Sequence, residues 1–583
     1  MTSRATAAAA LVAAVIAAIL YWPVRSYRFT YDDEGVIETG TYIKNWQNFF
    51  KIYEYGQSKH FGAMTDPQRP VCNLTLFADY SLYGDRPDGY HTTNLIFHAA
   101  CSGLAAVLAA ELGLDLAGCL AAGVLFAVLG VHVEPVAQIN YREDLLACLF
   151  GVLCFIAYIR RSTALSLIAL IFALGSKESA VAIFPALLAL EIRASGYRGA
   201  VRMWRKWILH AAVLIGYLAC LAWLSKLSQH PAVPLDRFRA MVAAFGTYAK
   251  LLFVPWPLNP DYVLDAAQPW ITPWITPWIV AGFAGFCTAA LGAVLLLRRW
   301  GTASFGILLL VFTLLPVSNL VPIYRPISER YLYFGSLGFA LAAGHLISRI
   351  WRVGGAYRTP IRAISLSLYI VFAGGQAWAA YSQMPVWKDE NALWTRTTEV
   401  SPRSFRAWEH IGTVKSRAGD RAGAVLAYSR AIEINPKSEK VMNDLGICAM
   451  EAGDLKEAKK WFRNAIELRP RYVIGICNFA SVLMRENHLD NARKMLEIAL
   501  KINPRSMPAL FHMARLSLTE GNTDHARGYL SQCLSINPSE TRCKMLRDEL
   551  KKQSKWEPPG GETPDDILSD EPAGPYSGEQ DTE

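Results

Sequence analysis

Apolar segments alternate with short polar connections over the first two thirds of the chain. A helix that crosses a bilayer needs ~20 predominantly apolar residues, with some tolerance for tilt. The pattern predicts about 11 spans, of which the fourth to sixth are short. The predicted spans are residues 7–24, 92–110, 112–131, 145–159, 163–175, 179–190, 207–224, 274–297, 303–320, 331–347 and 364–381.

A period of 34 residues replaces this pattern near the C-terminal end. Five prolines repeat at this spacing: Pro402, Pro436, Pro470, Pro504 and Pro538. Small residues recur in the same frame, as at Gly412, Gly446, Ala480 and Ala514, where paired helices must approach closely. The period is typical of the tetratricopeptide repeat (TPR), whose helix pairs stack into a superhelix with a concave groove. The groove is predicted to bind a peptide segment, and the alternative is a spacer or oligomerisation arm.

The two patterns divide the chain into four parts and predict an all-α fold. Residues 1–385 form a polytopic helical membrane domain, 386–401 a linker, and 402–550 a TPR α-solenoid of about four repeats. Residues 551–583 are rich in Pro, Gly and acids. Such a segment cannot bury enough apolar surface to offset its chain entropy, so we predict a disordered acidic tail.

Composition supports a membrane protein, because 52% of the 583 residues are hydrophobic and the mean hydropathy is +0.20. The formal net charge of +9 includes a tail, 556–583, with nine acids and no Lys or Arg. The remaining cations lie largely between apolar segments, which indicates lipid topology rather than nucleic-acid binding. The 11 Cys residues lack the paired spacings of a disulfide framework or a zinc site, and we predict that they are packing residues.

The distribution of cations also predicts an orientation. Positive residues favour cytoplasmic connections. With the N-terminus inside, the inner connections contain clusters of Lys and Arg at 160–161, 193–206, 298–299 and 349–362. This requires the apolar stretch 241–255 to be a re-entrant or interfacial element rather than a span. With an odd number of spans, the repeats lie outside the cytoplasm.

The same orientation gathers unusual polar residues on the outer face. Asp32, Asp33 and Glu34 follow the first span directly, and could act as a general base, a metal ligand or an acceptor clamp, or form a hydrated loop. Cations close to a membrane surface suit a lipid phosphate, although each one alone is more often a helix cap or an ion pair. The polar residues of this face include Arg69, His132, Glu134, Arg142, Asp144, Lys177, Glu178, Glu329, Arg330 and Tyr331.

The order of these motifs resembles that of a known family. The motifs are Phe29-x-x-Asp32-Asp33, Arg69-Pro70, Gly89-Tyr90-His91 with Asn94, Val133-Glu134-x-Val136 with Arg142-x-Asp144, Ser176-Lys177-Glu178, 316–320 (PVSNL) and 329–333 (ERYLY). Together with the repeats they resemble the membrane O-mannosyltransferases that carry C-terminal TPRs, and their bacterial relatives. One departure is that Leu129-Gly130 stands where the relatives usually have His-Pro, which leaves only the later His132.

The resemblance implies a GT-C fold and transfer of a sugar, which the family name indicates to be mannose, from a polyprenyl-phosphate donor on the extracytoplasmic face. Asp32 and Asp33 would supply the base, and Arg142, Lys177 and Arg330 would hold the donor phosphate. Arg69, His132, Glu134, Asp144, Glu178, Glu329 and Tyr331 would support them. The expected partners are the lipid-linked donor, a protein or peptide acceptor in the TPR groove and the membrane, with no nucleic acid.

Several alternatives remain open. The chain could be a non-catalytic membrane scaffold that assembles an envelope complex through its repeats, or a GT-C enzyme that glycosylates lipid or polysaccharide. No cofactor is expected beyond the donor substrate. A divalent metal could bind Asp32, Asp33 and Glu34, although no metal site is indicated. The short loops suggest a multi-pass protein of a bacterial inner membrane, with the TPRs and the active site extracytoplasmic.

Overall fold

The computed structural model describes residues 2–38, 40, 42–50, 68–202, 204–225, 237–263, 277–319, 323, 325–353, 358–537 and 540–553. Within these ranges the regular elements are helices, and no strand occurs. The chain divides into two compact units, Met1–Pro402 and Arg403–Glu583. The predicted disordered tail lies outside the described residues from position 554 onwards.

Fifteen α-helices are described in the first unit. They are α1 Ser3–Tyr21, α2 Pro70–Tyr83, α3 Pro87–Glu111, α4 Leu116–Val128, α5 Val133–Ala137, α6 Arg142–Ile159, α7 Thr163–Leu174, α8 Ile183–Arg202, α9 Trp204–Ser225, α10 Arg237–Phe253, α11 Pro277–Leu295, α12 Gly301–Leu314, α13 Leu332–Trp351, α14 Arg358–Gln383 and α15 Glu390–Val400. Short 3-10 turns precede or follow several of them. Each predicted span overlaps one of these helices.

The prediction of about 11 spans is not confirmed. In the described part of the chain five helical segments are long and apolar enough to cross a membrane, or six if the bent pair formed by α4 and 130–137 counts as one span. The five are Ser3–Ser26, Pro87–Glu111, Glu178–Val201, Glu329–Trp351 and Arg358–Trp387. Several of the others are too short, since α7 has 12 residues and α12 has 14. The apolar helices remain compatible with a membrane protein.

Small residues let the helices of the first unit approach closely. Ala9, Ala13 and Ala17 of α1 are fully buried against α3 and α4. A Cβ at Gly123 of α4 would lie 2.9 Å from the Ala13 Cβ, so glycine is needed there. Apolar helices in membranes associate through this kind of close backbone packing, because burial from water cannot drive their association.

The two ends of this helical bundle differ in charge. At one end, Arg160 after α6 binds Glu111 at 2.7 Å, and Arg352 after α13 contacts Asp115 at 3.4 Å. Arg193 of α8 donates to the Leu112 carbonyl at the same end. These are the connections that the cation pattern assigns to the inner side. Residues 138–144 and 328–331 lie at the start of α6 and α13, and therefore at the opposite end of the bundle, where residues 138–144 contact residues 29–34.

Two segments of the first unit that the sequence pattern sets apart from the spans are helical in the structure. Residues 241–255, predicted as a re-entrant or interfacial element, belong mostly to α10, a helix of 17 residues. Residues 386–401, assigned to a linker, contain α15 and belong to the first unit. The buried Trp394 of α15 packs edge-to-face on Tyr31 at 5.3 Å, so this helix covers the segment that carries the acidic pair.

Among its described residues, the second unit has four helix pairs and a final helix. Its helices are α16 Phe405–Arg417, α17 Arg421–Ile434, α18 Glu439–Glu451, α19 Leu455–Leu468, α20 Val473–Arg485, α21 Leu489–Ile502, α22 Met507–Thr519, α23 Thr523–Ile536 and α24 Thr541–Gln553. The turns within the pairs use a left-handed residue at equivalent positions, namely Gly419, Gly453, Asn487 and Gly521. The predicted TPR architecture of four repeats is therefore present in the structure.

Complementary volumes explain the repeated small residues. A Cβ at Gly446 would lie 2.6 Å from the Phe462 ring, whereas Ala480 and Ala514 pack in the clusters of the smaller Leu496 and Leu530. The prediction that the cysteines only pack is wrong for one pair, because Cys533 of α23 and Cys543 of α24 form a disulfide. Their ten-residue spacing spans a helix-to-helix turn, which the one-dimensional sequence pattern does not reveal.

Candidate active site

The acidic segment after α1 is fixed by residues more than 100 positions away. Tyr31 has a φ of 54°, a left-handed conformation that turns the chain just before Asp32. The Thr30 hydroxyl donates to the Gln138 side chain at 2.9 Å, and the Gln138 amide returns a hydrogen bond to the Thr30 carbonyl at 2.6 Å. This reciprocal pair anchors the segment beside the start of α6.

The two adjacent aspartates occupy different environments. Asp33 is fully buried, and its carboxylate accepts the backbone N–H of Asn140 at 2.7 Å and of Ile139 at 3.1 Å. Burial raises the pKa of Asp33 to about 7, against the lowering effect of these two hydrogen bonds. Asp32 remains partly exposed and accepts a hydrogen bond from the Tyr141 hydroxyl at 3.4 Å. Asp32 is therefore the more accessible carboxylate.

Two arginines lie on the same group of tyrosines. The Arg330 guanidinium stacks on the Tyr141 ring at 3.7 Å, and its Nε and Nη1 atoms are buried without a hydrogen-bond partner. The Arg325 guanidinium lies over the Tyr31 ring at 5.0 Å and interacts electrostatically with Asp32. Donors that are buried and unsatisfied are costly unless a ligand supplies the acceptors. Arg330 and Arg325 thus offer N–H groups to an anion beside Asp32.

Two glutamates hold the segment that carries these arginines. Glu134 accepts the Ser328 hydroxyl at 2.8 Å and the Arg330 backbone N–H at 3.0 Å. Glu329 accepts the Tyr262 hydroxyl at 3.0 Å and a backbone N–H of Asn259. The predicted supporting residues Glu134 and Glu329 therefore fix the backbone from which Arg330 projects. The Tyr331 hydroxyl adds a hydrogen bond to the Arg325 carbonyl at 3.2 Å.

Arg142, the first predicted phosphate ligand, is enclosed by the protein. Its side chain is fully buried and pairs with Asp79 at 2.7 Å. It also donates to Asn94 at 3.0 Å and to the Tyr90 carbonyl at 3.3 Å. These contacts join α2, α3 and α6. The geometry favours a role for Arg142 in holding the helices together beneath the acidic pair.

Lys177, the second, lies in a buried network of alternating charges. Its ammonium group binds Asp144 at 2.6 Å and Glu143 at 3.1 Å. Burial alone would lower the pKa of Lys177, but Asp144 and Glu143 outweigh it and the pKa is raised. Arg69 joins the network through Glu143 and, at 3.1 Å, through Glu178. The network contains three carboxylates and two cations. The charge of Lys177 is therefore already compensated by carboxylates, which makes this residue poorly suited to bind a phosphate.

His132 lies apart from both groups. Its imidazole is buried among the rings of His98, Phe126 and Tyr333, and its Nε2 bonds the Ser336 hydroxyl at 2.7 Å. It belongs to the interior of the bundle. The structure thus brings together Asp32, Asp33, Arg330, Glu134, Glu329 and Tyr331, and leaves His132 in the core. Arg69, Asp144, Lys177 and Glu178 form a charge network that adjoins this group, because Lys177 lies 5.4 Å from the Tyr331 ring.

Sequence reasoning missed several residues of this site. Arg325 lacks the flanking acid that marks Arg330, and Tyr31 and Tyr141 read as ordinary aromatic residues near membrane ends. The sequence signal that could have identified the two tyrosines is that Tyr31 directly precedes Asp32 and Tyr141 directly precedes Arg142. Asp79, which neutralises Arg142, lies on α2 and no local pattern links the two.

The site combines an accessible carboxylate with two arginines that can bind an anion. Such a pair can remove a proton from one reactant and stabilise negative charge on another. A small pocket lies next to the site, with Tyr331, Lys177 and Phe334 in its lining. Among the described residues no group of three His, Cys, Asp or Glu side chains is arranged to hold a metal ion.

The fold and the site define the chain as an all-helical protein with membrane-length apolar helices, a buried acidic and basic site, and a TPR unit. A family model described as the tetratricopeptide repeat matches residues 417–472. A TPR protein of Thermus thermophilus is 17% identical and covers 34% of this chain and 100% of its own, at a TM-score of 0.26 that is too low to bear on the fold.

The sequence is similar to proteins named protein O-mannosyl-transferases, which confirms the resemblance that the motif order indicates. One, from Caenorhabditis elegans, is 24% identical over 66% of this chain and 57% of its own length. Human protein O-mannosyl-transferase TMTC3 is 22% identical over 67% of this chain and 47% of its own, and human TMTC2 is 31% identical over 26% and 18%. The chain spans about half the length of the first two.

Proposed function

We propose that the chain is an integral-membrane glycosyltransferase of the GT-C type. It moves a sugar, which the names of its relatives indicate to be mannose, from a polyprenyl-phosphate donor to a hydroxyl of a protein acceptor. The observation that carries this proposal is the position of Arg330, whose unpaired N–H groups lie on the Tyr141 ring while the Tyr141 hydroxyl bonds Asp32. The Arg330 guanidinium, which we propose binds the anion, and the Asp32 carboxylate, which we propose accepts the proton, therefore both contact Tyr141.

The reaction is a single displacement at the anomeric carbon. Asp32 accepts the proton of the acceptor hydroxyl as the new C–O bond forms. The bond between the anomeric carbon and the phosphate oxygen breaks, and its electron pair leaves with the lipid phosphate. Arg330 and Arg325 stabilise the phosphate charge through hydrogen bonds that a guanidinium can donate in pairs. Because lipid phosphate is a good leaving group, orientation and charge stabilisation supply most of the acceleration.

The remaining predicted residues position these groups. Asp33 holds the acidic segment through the backbone N–H groups of Ile139 and Asn140. Glu134 and Glu329 fix the segment of Arg330, and Arg142 links three helices beneath it. Of the charge network, Asp144 and Lys177 are assigned to the lining of the adjoining pocket, and Arg69 and Glu178 to its support.

The proposal places the site and the TPR unit on the extracytoplasmic face of a membrane, in a bacterium the periplasmic face. The disulfide between Cys533 and Cys543 supports an oxidising compartment for the TPR unit. The cluster of Arg160, Arg193 and Arg352 at the other end of the bundle supports a cytoplasmic position for that end. The TPR groove then recruits the acceptor protein.

The test is transfer from synthetic polyprenyl-phosphate mannose to a Ser/Thr-containing peptide by the full chain in proteoliposomes. Asp32→Asn is expected to lower the rate by about 10²–10⁴-fold, the usual contribution of a general base. Glu38→Gln, an exposed acid on the same segment, is the matched control and should leave the rate unchanged. Full activity of Asp32→Asn would refute the assignment of the base. A wild-type chain without transferase activity that still binds partners through its TPRs would favour the scaffold.

A further inference from the structure

The concave side of the TPR unit becomes strongly basic at its C-terminal end. The first helices of successive repeats pack on one another, α18 on α20 and α20 on α22, and such a row lines the groove of a repeat superhelix. Neither α20 nor α22 contains an Asp or Glu. Four basic residues of α20, α22 and α24 form what we call the basic cluster, namely Arg485, His512, Arg515 and Arg542.

Within this cluster, the Arg515 charge and one ring nitrogen of His512 have no partner among the described residues. The Arg515 guanidinium makes no hydrogen bond or ion pair with any described residue, and the buried Nδ1 of His512 has no partner. The acids that directly follow α20 and α22 form ion pairs with residues outside the cluster. Glu486 binds Lys459 at 2.6 Å, and Glu520 binds Arg493. An anionic ligand would satisfy these groups.

The charges of the cluster lie close enough to lower the pKa values of its members. Burial, followed by the charges of Arg515 and Arg542, lowers the pKa of His512 to about 3. Burial and the charge of Arg485 lower the pKa of Arg515. These shifts show that the four side chains lie within electrostatic range of one another, although they come from three helices.

The chain itself contains a segment of opposite charge. Residues 556–583 carry nine acids and no Lys or Arg, with Asp565, Asp566, Asp570 and Glu571 around the apolar pair 567–568. This segment follows α24, the helix that contributes Arg542. A random-coil peptide of this length has a root-mean-square span of about 30 Å, which is enough to reach a neighbouring helix.

We propose that the acidic segment 556–583 docks in cis on the basic cluster of the TPR groove. The acids of 565–571 bind Arg515, Arg485 and Arg542. A tethered segment has an effective concentration of about 1 mM, so a modest intrinsic affinity suffices for occupancy. Any acidic protein that uses this end of the groove must first displace the segment.

The experiment measures binding of a fluorescein-labelled peptide of residues 560–580 by anisotropy, with detergent-solubilised protein. Two proteins are compared: the full chain and a variant that ends at residue 553. For an intrinsic Kd of ~10 µM, competition by the tethered segment weakens binding to the full chain by about 100-fold relative to the shortened chain. A peptide with its acids replaced by amides should not bind.

Charge reversal locates the binding surface. In the shortened chain, Arg515→Glu should abolish peptide binding, whereas Arg463→Glu, an exposed site on the second helix of its repeat, should not. Arg515→Gln, with unchanged helical circular dichroism, provides a milder second variant and should weaken binding at least several-fold.

Three outcomes would overturn the proposal. Equal affinity of the two chains would mean that the groove takes acidic peptides only in trans. Absence of binding to the shortened chain would mean that the basic cluster is not a peptide site. Binding that survives both Arg515 variants would place the peptide elsewhere. None of these outcomes depends on transferase activity, so they are separable from failure of the proposed function.

Discussion

Arg142 and Arg330 carry the same charge in opposite surroundings. Arg142 is surrounded by acceptors, including the Asp79 carboxylate, whereas Arg330 keeps buried N–H groups without one. A sequence pattern identifies both as cations near a membrane end but does not distinguish them, because the difference arises from Asp79 on another helix. Residue type and position therefore predict which cations are candidates. Only the three-dimensional contacts distinguish Arg142, whose N–H groups are satisfied by the protein, from Arg330, which has buried N–H groups without an acceptor.

This contrast leads to a pair of predictions for one conservative change. Arg330→Gln should reduce sugar transfer by about 10²–10³-fold, the cost of losing one donor to developing charge, without loss of folded protein. Arg142→Gln should destabilise the fold by about 3–5 kcal/mol, because it leaves Asp79 buried and unpaired. Transfer assays and thermal unfolding in detergent measure both. A stable but inactive Arg142→Gln protein would contradict the structural role.

The buried Asp33 predicts a pH dependence. Its pKa is raised to about 7, so the carboxylate that accepts both backbone N–H groups forms only as the pH rises through this value. Sugar transfer should therefore increase with pH and reach half of its maximum near pH 7. Asp33→Asn should have low activity and lack this step in its rate profile, and an unchanged step would assign the titration to another group.

Stability should change in the opposite direction. The folded pKa of Asp33 lies above the ordinary value of 3.8, so its stabilising contribution is complete below that value and is lost as the pH rises through about 7. The melting temperature of Asp33→Asn at pH 8 should consequently be no lower than that of the wild type. A lower one would mean that the two backbone hydrogen bonds stabilise the fold more than burial of the charge destabilises it.

At the scale of elements, the TPR helices were the most predictable part of the chain. Their period is set by direct contacts between neighbouring helices, as between Gly446 and Phe462, so it is visible in the sequence. The apolar helices were located correctly, but their number as spans was not confirmed. Length alone does not decide whether α7 or α12 crosses a bilayer, because short helices can be enclosed by neighbouring ones.

The contact between α18 and α19 predicts the effect of adding one methyl group. Gly446→Ala places a Cβ 2.6 Å from the Phe462 ring and should destabilise the TPR unit by about 1–3 kcal/mol through overpacking. Gly528→Ala, at an exposed helical position with open space around it, should instead stabilise by about 0.5–1 kcal/mol. Urea unfolding of the solubilised chain, followed by circular dichroism, compares the two. Equal effects would mean that the Phe462 ring shifts without cost.

At the scale of the whole molecule, the oxidation state of the cysteines can indicate the cellular compartment in which the second unit lies. The structure has nine free cysteines and one disulfide, formed by Cys533 and Cys543. No spacing pattern in the sequence indicates this pair, since a disulfide depends on how two helices pack. Disulfides persist in oxidising compartments. The prediction that this bond forms and the prediction that the TPR unit lies in such a compartment are therefore tested together.

Thiol counting tests that prediction. Protein purified from its membrane, denatured without reductant and treated with maleimide should label at nine cysteines, and at 11 after reduction. Cys533→Ser combined with Cys543→Ser should give nine in both states. Labelling of 11 cysteines before reduction would show that the bond is absent and would remove a main support for the extracytoplasmic orientation.

The long-range contacts of the site also determine when it can form during synthesis. Asp33 meets Asn140, 107 positions later, and Glu134 meets Arg330, 196 positions later. A nascent chain on the ribosome therefore exposes its acidic segment long before Arg330 emerges. Prematurely terminated chains that lack residues after about 325 should insert their helices into the membrane but should not bind the proposed donor. The proposed activity therefore requires that synthesis of the first unit has passed Arg330.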